Sequence, residues 1–259
     1  MSFVALVSSD PNLTSIFFDD LFTGNTFHPL NLEKSVADVC KGLVALDYAG
    51  ALVLEPRWQQ EALGCAQRSS LAATKHQVCD TLVVTPAGLV ADYVLGSALA
   101  ELLSQHFWDV RGTNVVVTGA NAVAAAVATE LASMGVEQIT VLADNLPQAE
   151  KILPKIALTR TRAHSFGELA ADSALERADL LVRTESESLI PEAMLGPHLS
   201  VIDLSPSPLS LLRQNAMNVG AKTLGLRDLQ AQQLALSLGL ITGRKLDVSV
   251  FLAPLLTLD

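Results

Sequence analysis

The stretch Val115 to Ala126, VVVTGANAVAAA, runs an apolar strand pattern into an alanine-rich helix pattern through one glycine, Gly119. In a dinucleotide site the first glycine of such a turn allows the tight bend. The second lets backbone approach a pyrophosphate, and the third lets the helix pack on the strand. Here Gly119 is followed by Ala120, Asn121, Ala122 and Val123. Alanines are small enough for close packing, and Asn121 tolerates left-handed backbone angles better than most residues. Its side chain could fill the space of a phosphate or hydrogen-bond to one. The helix N-terminus offers free N–H groups and a positive dipole end. Asp144 closes the next strand pattern, VLAD. A carboxylate near this distance bonds the ribose hydroxyls of NAD and repels the extra phosphate of NADP. The turn leaves two readings open, a working cofactor loop or a packed strand–helix junction.

Carboxylates supply the other chemistry. Asp10, Asp80 and Asp92 lie in the N-terminal part with Lys75, and Gln232 lies near the C-terminus. Two neighbouring carboxylates can raise one pKa and make an acid. Exposed charges with no such role are the plainer reading, above all for Lys75 on its helical pattern. The five histidines, at 28, 76, 106, 164 and 198, form no HxxxH or HExxH pair, so no metal site is expected. Cys40, Cys65 and Cys79 have no metal-ligand spacing, and reduced thiols are the simplest reading.

The chain has 259 residues, 50% hydrophobic and 17% charged, enough for one or two cores. A net charge of −10 repels a phosphate backbone, which argues against nucleic acid as a partner. No basic run suits a membrane surface. MSFVALVSSD lacks the basic start of a signal peptide, and no apolar run is long enough to span a bilayer. A cytoplasmic protein is expected, with an unidentified small molecule or protein as partner.

These candidates need scaffolding. FVALVS, GALVLEP and the two halves of DTLVVTPAGLVADY read as strands, and NLTSIFFDDLF, SVADVCKGLVAL and QQEALGCAQR as helices. After a long helix, VLGSALAELLSQHF, a second series opens. Its strands are NVVVTG, QITVLAD, DLLVRT and LSVIDLS, with helices between them. The alternation predicts an α/β protein of two domains. Residues 1–100, rejoined by C-terminal helices at about 228–259, form a mostly parallel α/β domain of substrate-binding type. Residues 101–227 form a Rossmann-like, doubly wound domain.

The layout resembles the shikimate dehydrogenase family over nearly the whole chain. GLRDLQAQ, with Gly225, Leu226, Leu229 and Gln232, is similar to the family's C-terminal motif, and CDTLVVTPAGLV to its Asn-Thr hairpin, with Asp80-Thr81 in place of Asn-Thr. ERADLLVRT resembles the strand whose end covers the nicotinamide, which implies a cofactor contact at Thr184 beside Arg183 and Glu185. The resemblance implies reduction of 3-dehydroshikimate to shikimate with NAD or NADP. The reacting residues depart from it. The family's Asn-Val-Thr-x-Pro-x-Lys is LVLEPRW here, placing Leu52, Leu54 and Trp58 at the asparagine, threonine and lysine positions. Leu95 stands at the aspartate position, with Asp92 the nearest carboxylate. The substrate-gripping Ser-x-Ser-Pro becomes SSDP, keeping Ser8 and introducing Asp10, which would repel a carboxylate substrate. The arginine that holds the NADP phosphate becomes Asp144. Trp and Leu neither exchange a proton nor stabilise developing charge.

Two functions therefore follow. One is a family relative without the catalytic pair that binds a ligand or partner, with Ser8, Asp10, Trp58, Asp80, Asp92 and Gln232 in the old substrate cleft. The other is an NAD(P)-dependent oxidoreductase of altered specificity, of the shikimate or quinate dehydrogenase type. NAD is favoured over NADP by Asp144, and cofactor binding is weak or lost.

Overall fold

The computed structural model describes residues 2–15, 17, 25–30, 33, 35–185, 190–207 and 210–258. The chain divides into two compact units, Met1–Ala98 with Gln230–Asp259, and Leu99–Leu229.

The first unit holds the strands β1 (Ser2–Val7), β2 (Asn25–Pro29), β3 (Gly50–Val53), β4 (Arg68–Ser69), β5 (Thr81–Thr85) and β6 (Gly88–Asp92) in the order β2-β1-β3-β5-β6-β4. β1 pairs parallel with β2 and β3, and β4 pairs parallel with β6. The antiparallel pairings come from the β5–β6 hairpin, which turns at Thr85-Pro86-Ala87-Gly88. Its helices are α1 (Pro11–Ser15), α2 (Val36–Ala45), α3 (Pro56–Cys65) and α4 (Leu71–His76). The expected helix over residues 12–22 is described only as far as Ser15. Its remainder lies largely outside the described residues. Next come α5 (Leu95–Gln105), which carries the chain across the unit boundary, and the second unit.

There the strands are β7 (Asn114–Thr118), β8 (Gln138–Ala143), β9 (Arg160–Ser165), β10 (Leu180–Arg183), β11 (Ser200–Asp203) and β12 (Lys222–Gly225), all parallel in the order β12-β11-β10-β7-β8-β9. α6 (Ala122–Ser133), α7 (Leu146–Ile152), α8 (Leu169–Glu176) and α9 (Leu211–Asn218) connect them. This is the doubly wound sheet that the alternation predicts. The chain then returns to the first unit through α10 (Leu226–Thr242) and ends in α11 (Ser249–Leu256).

Each unit has its own core. In the first, Val4, Leu6 and Leu52 from the sheet pack with Leu234, Leu238 and Phe251 from the two C-terminal helices. That packing is why residues distant in sequence complete the N-terminal unit. In the second, Val116, Leu142, Leu181 and Val201 pack with Leu175 and Leu212. α6 buries Ala124, Ala125, Ala126, Val127 and Ala128, so a run of small side chains seats it in the core. Among the described residues no helix is long and apolar enough to cross a membrane.

Candidate functional site

In the first unit the apolar residues that the resemblance sets at polar family positions are packed. Trp58 lies in the first turn of α3 and is only 5% exposed. Leu95 opens α5 and is buried, and Leu52 is a fully buried member of the core. Asp10 is occupied locally. Its Oδ1 accepts from Leu13 N at 3.2 Å, capping the short α1, and its own N–H donates to Ser8 Oγ at 3.1 Å. Such a cap is a structural use of aspartate at a helix start.

Asp80 is a deeply buried carboxylate of this unit. It is 1% exposed. Its Oδ1 accepts from Thr81 Oγ1 at 2.9 Å, and its Oδ2 from Gln233 Nε2 at 2.8 Å. Val94 N donates to both oxygens at 3.1 Å. Thr81 Oγ1 also meets Ser237 Oγ at 2.7 Å. Burial pushes the Asp80 carboxyl up to about 6, against the pull of these donors, and Asp92 adds a smaller push in the same direction. Asp92 lies beside it, its backbone carbonyl accepting from Asp80 N at 3.1 Å and its Oδ1 from Tyr93 N at 2.7 Å. Asp80 thus joins β5, the start of α5 and α10 within one unit, with both its oxygens committed. Gln232 is buried on α10, while its neighbour Gln233 makes the Asp80 contact. Sequence reading did not single out Gln233 or Ser237, because one turn of a uniformly Gln- and Leu-rich helix gives no phase by which to choose the inward residue. Lys75 lies in the last turn of α4, where a cation suits the helix end.

The three cysteines belong to this unit. Burial pushes the Cys40 thiol up to about 12, with Cys65 beside it adding to the effect, and burial pushes Cys79 higher still. Such thiols are poor nucleophiles. Among the described residues no group of three or more His, Cys, Asp or Glu could hold a metal ion.

In the second unit the Gly119 turn has φ +107°, a backbone angle that favours glycine. Asn121 is the N-cap of α6, with its Oδ1 accepting from Ala124 N at 2.9 Å. Its Nδ2 faces Glu185 Oε1 at 3.3 Å, and Ala120 N donates to the same oxygen at 2.9 Å. Ala122 and Val123 form the first turn of α6. Thr184 is turned onto the strand end, its Oγ1 donating to Thr118 O at 2.7 Å. Asp144 follows β8 and is exposed, free to meet a ligand or water.

Arg183 and Glu185 part company. Parallel register sets Arg183 abreast of Asp203, and the guanidinium binds that carboxylate through Nε at 2.9 Å and Nη2 at 2.6 Å. Ser205 Oγ accepts from Arg183 Nη2 at 3.2 Å, and Ser210 Oγ donates to Asp203 Oδ2 while capping α9. Burial works against the Asp203 charge, but Arg183, Ser210 and the Ser205 N–H outweigh it and hold its pKa below the ordinary value. Sequence reading did not single out Asp203, Ser205 or Ser210. The only hint was an aspartate ending an apolar strand. Ser186, Glu187 and Ser188 of VRTESES lie outside the described residues.

A doubly wound parallel unit with a glycine turn after its first strand, together with a mixed-sheet unit, defines a two-domain Rossmann-like α/β fold. No protein-family model matches the chain. It is 30% identical to a shikimate dehydrogenase (NADP(+)) of Symbiobacterium thermophilum, over 72% of this chain and 67% of that one. The fold matches that of shikimate 5-dehydrogenase from Listeria monocytogenes, in complex with shikimate and NAD, with a TM-score of 0.86 at 20% identity over 99% and 96% of the two chains. It matches equally a ligand-free 5-ketofructose reductase of a Gluconobacter strain, with a TM-score of 0.86 at 19% identity over 100% and 99%. The chain belongs to the shikimate dehydrogenase family.

Proposed function

We propose that this protein is a shikimate dehydrogenase relative that does not carry out the family's reaction and instead binds a ligand or a partner. The observation that carries this reading is Trp58. Where the family places its lysine, the chain has a buried indole, and residues 52–62 contain no lysine to replace it. Leu95 at the aspartate position is buried too. Neither side chain moves a proton. Arg57 is the one basic residue of that stretch, and a guanidinium is a poor proton shuttle. Burial raises the Asp80 carboxyl to about 6, but its oxygens are committed to internal donors.

A second reading, an NAD(P)-dependent oxidoreductase of altered specificity, draws on the Gly119 turn and on exposed Asp144, which favours NAD. The same fold in a 5-ketofructose reductase fits it. The net charge of −10 speaks against nucleic acid as partner. The test is turnover by the purified protein with shikimate or quinate and either NAD or NADP. The expected result is no reduced cofactor above the protein-free background. Steady turnover of either alcohol overturns the first reading and establishes the second.

A further inference from the structure

The positive end of α6 holds an anion supplied by the chain itself. Ala120 N and Asn121 Nδ2 both point at Glu185 Oε1, at 2.9 and 3.3 Å. The carboxylate lies against Gly119. A Cβ built at that glycine would come within 2.9 Å of Glu185 Cδ and would also collide with Thr184 Oγ1. A backbone turned to positive φ, a free N–H and a helix N-terminus are what a dinucleotide turn offers a pyrophosphate. Here the close approach that glycine permits is used by residues 184–185, and the Ala120 N–H is spent on a carboxylate. Asn121 Oδ1 meanwhile takes Ala124 N.

We propose that Glu185 is the residue that sets ligand specificity at this turn, by occupying the phosphate position as a tethered competitor. A dinucleotide must displace it. A tethered group competes at the effective concentration of a short linker, on the order of millimolar, and the displaced carboxylate then repels the pyrophosphate at close range. The second unit thereby keeps the turn while weakening its hold on the ligand class the turn was shaped for. This rests on reading Gly119 as a dinucleotide turn, and it holds whether or not the first unit catalyses.

The experiment is calorimetric titration of the full-length wild type, Glu185→Gln and Glu185→Ala with NAD and with NADP. Amide hydrogen exchange at Ala120 is measured alongside. Both variants are expected to bind NAD at least tenfold more tightly than the wild type, with Glu185→Ala the tighter because it also vacates the space. The Ala120 amide should exchange at least tenfold faster in Glu185→Ala. Equal affinity in wild type and Glu185→Ala, whether tight or undetectable, overturns the proposal, as does unchanged exchange at Ala120. The exchange measurement keeps the test decisive if a variant binds nothing. Turnover of shikimate by the wild type would overturn the non-catalytic reading and leave the Glu185 comparison standing. Equal binding would do the reverse.

Discussion

The two units treat their candidate sites in opposite ways. In the first, two positions that the resemblance matches to polar family residues carry large apolar side chains in the packing, Trp58 in α3 and Leu52 in the central core. In the second, Gly119 keeps a turn at positive φ, and the polar groups around it are paired within the chain. Arg183 has Asp203, Ala120 N has Glu185, and Ala124 N has Asn121. The difference follows from what each feature does for folding. A reacting side chain can be exchanged for an apolar one with a gain in burial. A strand–turn–helix junction at the centre of a parallel sheet must keep its shape, because β7 pairs on both sides and α6 is buried. Its orphan N–H groups then need internal partners.

The comparison can be broken first at Arg183. Arg183→Ala leaves Asp203 charged in the core, and unfolding in denaturant should show a loss of about 3–5 kcal/mol. A loss near zero would mean that the second unit does not depend on its polar replacements.

Trp58→Ala tests the first unit. Removing a buried indole should cost about 3 kcal/mol or more. If the melting curve barely moves, Trp58 sits in a space still open to a ligand rather than in packing.

Asp80 sharpens the contrast, because it is a carboxylate that the first unit keeps in its interior. Its folded pKa of about 6 lies above the ordinary 3.8, so the folded state binds more protons between the two values. Stability therefore falls as pH rises from about 4 to 6, then levels off, by up to about 3 kcal/mol for a two-unit shift. Urea unfolding from pH 4 to 8 should show this slope in the wild type and a shallower one in Asp80→Asn. An identical slope in both would clear Asp80 of the effect.

The smallest change is expected at Thr118, whose buried Oγ1 has no hydrogen-bond partner. Thr118→Val removes an unsatisfied hydroxyl at nearly constant shape, so stability should rise slightly or hold within about 1 kcal/mol. A marked loss would reveal an unrecognised role for that hydroxyl beside the turn.

The fold was largely legible because interior strands are nearly continuous apolar runs. β1, β3, β5, β6, β7, β8, β10 and β11 can all be read directly from the sequence. The four strands that lack such a run, β2, β4, β9 and β12, are the edges of the two sheets. An edge strand is paired on one side only and carries polar residues such as those of Arg160–Ser165 or Lys222–Gly225, so it gives no apolar run. By itself the sequence determined the α/β alternation, the glycine turn and the family. It held no record of partners. Asp80 with Gln233, Arg183 with Asp203 and Ala120 with Glu185 are separated by 153, 20 and 65 residues. Only the packing of sheet and helices decided which of these polar groups met, since a buried donor or acceptor takes whichever partner the fold brings within reach.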